Sequence, residues 1–231
     1  KGPLSAATYN AAATGNASFG YFAGGNLEPN IISTVQRIDY SNDTATASPK
    51  GPLSAARRLL GATGNASFGY FAGGGEPSVV STVDRIDYSN DTATASPKGP
   101  LSAVRRSQGA TGNSDFGYLG GGYPSATTVD RIDYSNDTAT AVAKGPLNTA
   151  GYGLAATGAR ANGFTVVGPA VVSNAAAMSV PNPTTFGYFG GGYTNADVST
   201  VDRIDYNNDT ATASPKGPLS LARRGLAATG N

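Results

Sequence analysis

The chain has 231 residues, 39% of them hydrophobic and only 13% charged, and a net charge of +1. That balance supplies no basic field for nucleic acid or an anionic membrane, and no apolar run approaches the roughly 18 residues of a membrane span. Cys, His and Trp are absent, which excludes disulfides, the usual Cys/His zinc and copper sites, Cys nucleophiles and His acid–base catalysis.

The stretch Ser81–Ala95 returns almost letter for letter, the copies being centred on Arg37–Tyr40, Arg131–Tyr134 and Arg203–Tyr206. The steps between copies are 48, 46 and 72 residues, the last being one period plus an insert. A period in the forties means one supersecondary unit that cannot bury its apolar face alone and stacks on copies of itself. The 32 glycines, with abundant Ala, Ser, Thr and Asn, fit short strands joined by tight turns.

Within the repeat at 50–97, Lys50-Gly51-Pro52-Leu53-Ser54 is a loop, because Gly-Pro interrupts a ladder. A first strand is predicted over 56–63. Gly64–Ser67 makes a hairpin turn, with Gly and Asn accepting positive φ. Phe68–Phe71 is an apolar second strand ending at Gly73-Gly74-Gly75, and a loop at 76–80 follows. Ser81–Tyr88 is the third strand, Asp87–Asp91 a turn, and Thr92–Ala95 the fourth strand. Repeats of this kind are expected at 6–49, 55–97, 103–143 and 149–215, forming one domain with a partial fifth at 216–231. Residues 159–185 break the period, and their two apolar runs around Gly168-Pro169 read as an inserted hairpin that makes a subunit contact. The chain begins at Lys1-Gly2-Pro3-Leu4-Ser5 and ends at Ala228-Thr229-Gly230-Asn231, both inside a repeat, so it reads as a window on a longer array.

Aromatic strand, double glycine, variable loop, Val-x-Arg-Ile-Asp-Tyr, turn, Thr-x-Thr, Pro-containing loop, Ala-Arg: this order resembles the kelch repeat. The resemblance implies an all-β, kelch-like β-propeller of four-stranded antiparallel blades, part of a larger ring or array. The pattern departs where kelch blades carry a Trp: small residues stand there, near Thr46-Ala47, Thr94-Ala95 and Thr212-Ala213. Long runs of near-identical blades also resemble repeat proteins of marine bacteria and their phages.

The blade bodies are near copies, whereas the loops after the double glycine are not. In a propeller these loops share one face, so Leu27, Glu28, Asn30, Glu76, Ser78, Tyr123, Ser125, Tyr193, Asn195 and Asp197 are the candidate binding residues. Unlike loops on a rigid scaffold are how binding surfaces are commonly built, and unconstrained drift is the bland alternative. One Lys per Lys-Gly-Pro-Leu-Ser loop on that face forms either a ring of cations or a set of solvated charges. Asp39/Asp43, Asp87/Asp91, Asp133/Asp137 and Asp205/Asp209 mimic the start of a calcium loop, but an Asx-turn explains them without metal. Arg85 and Asp87 point to one face and are expected to pair with a neighbouring blade, Arg57 or Arg58 being the candidates for Asp87.

The function expected is therefore non-enzymatic, with no cofactor: a structural and binding module of an extracellular assembly, at a virion or cell surface. A phage tail fibre or an adhesin contacting glycan or protein fits, with other copies of the chain or other subunits as partners and no nucleic acid. The alternatives are a sialidase-like propeller enzyme and an intracellular kelch scaffold.

Overall fold

The computed structural model describes residues 1–75, 77–158 and 185–227. The molecule is all-β, built from four antiparallel sheets of four strands each. The first contains β1 (Ala12–Gly15), β2 (Phe19–Ala23), β5 (Val35–Asp39) and β6 (Ser48–Lys50), with a two-stranded ribbon, β3 (Asn26–Leu27) and β4 (Asn30–Ile31), in its central loop. The second is β7 (Gly61–Gly64), β8 (Phe68–Ala72), β9 (Val83–Asp87) and β10 (Ser96–Lys98). The third is β11 (Gly109–Gly112), β12 (Phe116–Gly120), β13 (Val129–Asp133) and β14 (Val142–Lys144). The fourth is β15 (Ala155–Gly158), β16 (Phe186–Gly190), β17 (Val201–Asp205) and β18 (Ser214–Lys216). No helix among the described residues is long and apolar enough to cross a membrane.

The alternation of each strand divides its residues between two neighbouring sheets. Tyr70 lies opposite Arg85 and Ala72 opposite Val83, so these four share the front of the second sheet, while Phe71 and Ile86 point behind it. The core accordingly sits between sheets. Tyr21, Ala23, Val35 and Leu53 of one repeat pack on Phe71, Ile86, Tyr88 and Ala95 of the next. Tyr70, Val83 and Leu101 meet Leu119, Ile132, Tyr134 and Ala141 in the same way. Tyr118, Val129 and Leu147 meet Phe189, Ile204, Tyr206 and Ala213. Strands β1, β7, β11 and β15 lie side by side in that order. Their Ala-Thr-Gly sequences keep the approach narrow: a Cβ at Gly69 would press on Thr14 and on the Tyr88 hydroxyl.

Three expectations are corrected. The first strand is shorter, Gly61–Gly64, because Arg57 is drawn away to bind Asp84. The fourth strand is Ser96–Lys98, not Thr92–Ala95. The 3-10 turn Tyr88–Asn90 and the bend after it consume the Thr-rich stretch. Pro97 then occupies the outer strand, where its missing N–H faces no further strand. Finally, the Asn65 turn works without positive φ; the Asn65 side chain accepts from the Ser67 and Phe68 N–H groups instead. The hairpin expected at 159–185 lies, Thr185 apart, outside the described residues.

Candidate binding face

The loop after each second strand leaves through two glycines in the left-handed region, Gly121 at φ +68 and Gly122 at φ +112 in the third sheet. A Cβ at Gly73 would fall on the Arg105 carbonyl. The chain can therefore reverse against the next repeat only with glycine there. Each loop then bridges to the residue three positions before a first strand: Tyr9 to Asn26, Arg58 to Gly75, Arg106 to Tyr123 and Tyr152 to Tyr193. Just beyond, backbone hydrogen bonds step from sheet to sheet: Leu59 N–H to Asn10 (2.9 Å), Ser107 N–H to Leu59 (2.8 Å) and Gly153 N–H to Ser107 (2.8 Å). The unlike loops thus stand on a backbone shared by all the repeats.

On that base the third and fourth loops build a continuous aromatic strip. The Tyr123 and Tyr152 rings meet edge to face at 5.7 Å, and Tyr152 and Tyr193 lie 5.4 Å apart. A guanidinium covers each end, Arg106 at 4.8 Å from the Tyr123 centroid and Arg224 at 4.3 Å from Tyr193. Arg224 also pairs with Asp197 at 3.3 Å. Tyr123 is 43% exposed, and Tyr152 and Tyr193 are half-buried. Rings with apolar faces and polar hydroxyls, flanked by cations, give a firm amphipathic platform with little side-chain entropy to lose on binding.

Of the expected residues, Tyr123, Tyr193 and Asp197 come together here. Ser125 and Asn195 are exposed on the same two loops. Leu27, Glu28 and Asn30 belong to the β3–β4 ribbon of the first sheet, where the Tyr9 hydroxyl donates to Glu28. Ser78 is exposed on the second loop, and Glu76 lies outside the described residues. Tyr152, Arg106 and Arg224 are the contributors that loop-by-loop reading misses. The available signal was positional: Tyr152 stands where other repeats carry Arg58 and Arg106.

The lysines form no ring on this face. Lys50, Lys98 and Lys144 reach Asp91, Asp137 and Asp209 of the following sheets at 3.3, 3.4 and 3.1 Å. The same aspartates take the Tyr21, Tyr70 and Tyr118 hydroxyls, each at 2.9 Å. They also take Arg37, Arg85 and Arg131 at 2.8, 2.7 and 2.8 Å. Each arginine lies 4.2 Å over a phenylalanine ring of its own sheet, and each tyrosine stacks on the next sheet's Tyr88, Tyr134 or Tyr206.

Arg85 therefore does pair with a neighbouring sheet, but Arg57 does not meet Asp87. Arg57 binds Asp84 at 2.6 Å with both side chains buried, and Arg105 repeats this with Asp130 at 3.0 Å. Asp87 instead accepts the Ser89 N–H and hydroxyl, as Asp39 and Asp133 do at their own turns, and Asp205 accepts the Asn207 N–H. Those serine bonds hold the Asp39, Asp87 and Asp133 carboxyls below the usual range. The two aspartates of each calcium-like motif thus serve different neighbours. Among the described residues no group of three carboxylates gathers as a cation cage would need.

Burial, then the hydrogen bond to an aspartate, pushes the Tyr21, Tyr70 and Tyr118 hydroxyls well above their ordinary value. Asp209 moves the other way: burial alone would raise it, but bonds from Tyr118 and Lys144 and the Arg131 charge outweigh that. No protein-family model matches this chain, and no curated protein matches it.

Proposed function

We propose that the chain is a non-enzymatic structural and binding module, a kelch-like β-propeller or part of one, that contacts a glycan through its loop face. The observation that carries this reading is the Arg106–Tyr123–Tyr152–Tyr193–Arg224 strip, which joins two loops and two repeats. The C–H face of a sugar ring packs on such a platform, while its hydroxyls or a carboxylate take the flanking guanidinium N–H groups. Side-by-side first strands and unlike loops on otherwise repeated sheets support the propeller arrangement. Commitment of the buried arginines to aspartates supports a structural use of those charges. An extracellular assembly such as a phage tail fibre or surface adhesin is the setting in which we place it. A glycan array tests the reading. Binding that falls at least roughly tenfold in Tyr123→Ala and Tyr152→Ala is the expected result. Binding indifferent to both variants overturns the assignment.

A further inference from the structure

Three joints between successive sheets follow one plan, and each half of that plan also occurs once without its partner. The front of the fourth sheet repeats the donors: Tyr188 lies opposite Arg203 in register, and Lys216 ends the outer strand. Among the described residues none of these three meets a carboxylate. Tyr188 is half-buried, whereas Tyr21, Tyr70 and Tyr118 are fully buried. Beside it lies an open cleft of about 330 Å³ lined by Ala155, Gly190, Val201, Leu219 and Leu226. In the other joints the corresponding space holds the next sheet's Phe or Leu, Ile and Tyr. Gly217 agrees: a Cβ at Gly51, Gly99 or Gly145 would strike a carbonyl of the next sheet, while at Gly217 nothing lies within 4 Å.

The rear of the first sheet repeats the acceptor half. Tyr40 is 52% exposed where Tyr88, Tyr134 and Tyr206 are 8–9% exposed. Phe22 and Ile38 are half-buried where Phe71 and Ile86 are buried. The Asp43 side chain is 39% exposed against 8% for Asp91, Asp137 and Asp209. Part of this face is occupied by residues 1–5. Lys1 pairs with Asp43 at 2.7 Å, Gly2 N–H donates to the Asp43 carbonyl and Ala47 N–H to Pro3. Those bonds are the ones that Lys50, Gly51 and Pro52 make with the second sheet.

We infer that the front of the fourth sheet docks on the rear of the first sheet of a second copy, head to tail, with Lys216–Ser220 displacing that copy's residues 1–5. Tyr188 stacks on the second copy's Tyr40, and its hydroxyl joins Arg203 and Lys216 on Asp43. The contact is heterologous, so copies add in series or close into a ring. It rests on the joints and is independent of the glycan reading.

Sedimentation of the chain tests this. Mass that rises with concentration is expected, and removal of residues 1–5 should tighten association roughly tenfold by removing the competitor. A front variant (Tyr188→Ala with Arg203→Ala) and a rear variant (Tyr40→Ala with Asp43→Ala) should each be monomeric. Their mixture should stop at a 1:1 dimer, because one intact contact remains. The altered side chains are half-buried or exposed, so circular dichroism and Tm should match the parent. Tyr123→Ala should leave association unchanged, which separates failure of this inference from failure of glycan binding. A monomer at every concentration, with or without residues 1–5, overturns the inference. So does association that survives both variants.

Discussion

One carboxylate per joint collects a tyrosine hydroxyl, a guanidinium and an ammonium, and that concentration of donors makes it the most sensitive residue of its repeat. Replacing Asp137 by Ala strands Tyr70, Arg85 and Lys98, and should lower unfolding free energy by about 3 kcal/mol. Denaturant titration measures this directly. The same groups set the pH profile. The Asp209 carboxyl is depressed, so its contribution is present above the unfolded value near 4 and is lost as pH falls through the folded one. The Tyr70 and Tyr118 hydroxyls are raised, so theirs is complete below pH 10.0 and is lost as pH climbs beyond it. Tm should therefore peak at intermediate pH and fall at both ends; a Tm that keeps rising above pH 10.0 would contradict the assignment. Backbone strain supplies another prediction. Ser107 takes φ 57 where Gly153 and Gly225 stand in other repeats, so Ser107→Gly should be neutral or stabilise by up to about 1 kcal/mol in thermal melts.

At the scale of the element, the outer strand shows what the sequence could and could not reveal. Aromatic Phe68–Phe71 and the Val-x-Arg-Ile-Asp pattern announce the two central strands, because alternation over a half-buried sheet is a strong signal. The outer strand carries almost no such signal: Ser96-Pro97-Lys98 is short, polar and prolyl. Thr92–Ala95 has better strand propensity but is spent on the turn that Asp87 caps, so local turn chemistry outranks propensity. An outer strand that tolerates Pro49, Pro97 and Pro215 should also tolerate Ala143→Pro in β14, changing stability by less than about 1 kcal/mol. Gly117 in β12 should be intolerant. A methyl there would meet both Thr63 and the Tyr134 hydroxyl, and Gly117→Ala should cost about 2 kcal/mol by overpacking. Equilibrium unfolding should therefore leave the Ala143→Pro midpoint close to the parent's and move the Gly117→Ala midpoint clearly down; the reverse order would contradict the strand assignments.

Across the whole molecule, a 46–48-residue period already dictated that each sheet be covered by its neighbours. What stayed hidden was how the neighbours are joined. Lys98 and Arg85 lie far from Asp137 in sequence, and only the packing of one sheet's front on the next sheet's rear brings the three together. The candidate site was half legible for a related reason. Unlike loops could be seen by aligning repeats, which singled out Tyr123 and Tyr193. Tyr152 sits in a different segment, and joins them only because that segment bridges to the Tyr193 loop. The small residues in place of a kelch Trp find their reason at this scale too: Ala95, Ala141 and Ala213 fill the narrow buried space against the preceding sheet's Tyr, Val and Leu.

A double-mutant cycle across the second joint, combining Tyr70→Phe with Asp137→Ala, tests the shared joint most directly. A coupling free energy of about 1–2 kcal/mol between residues 67 positions apart is expected. Additive effects, with coupling indistinguishable from zero, would contradict it.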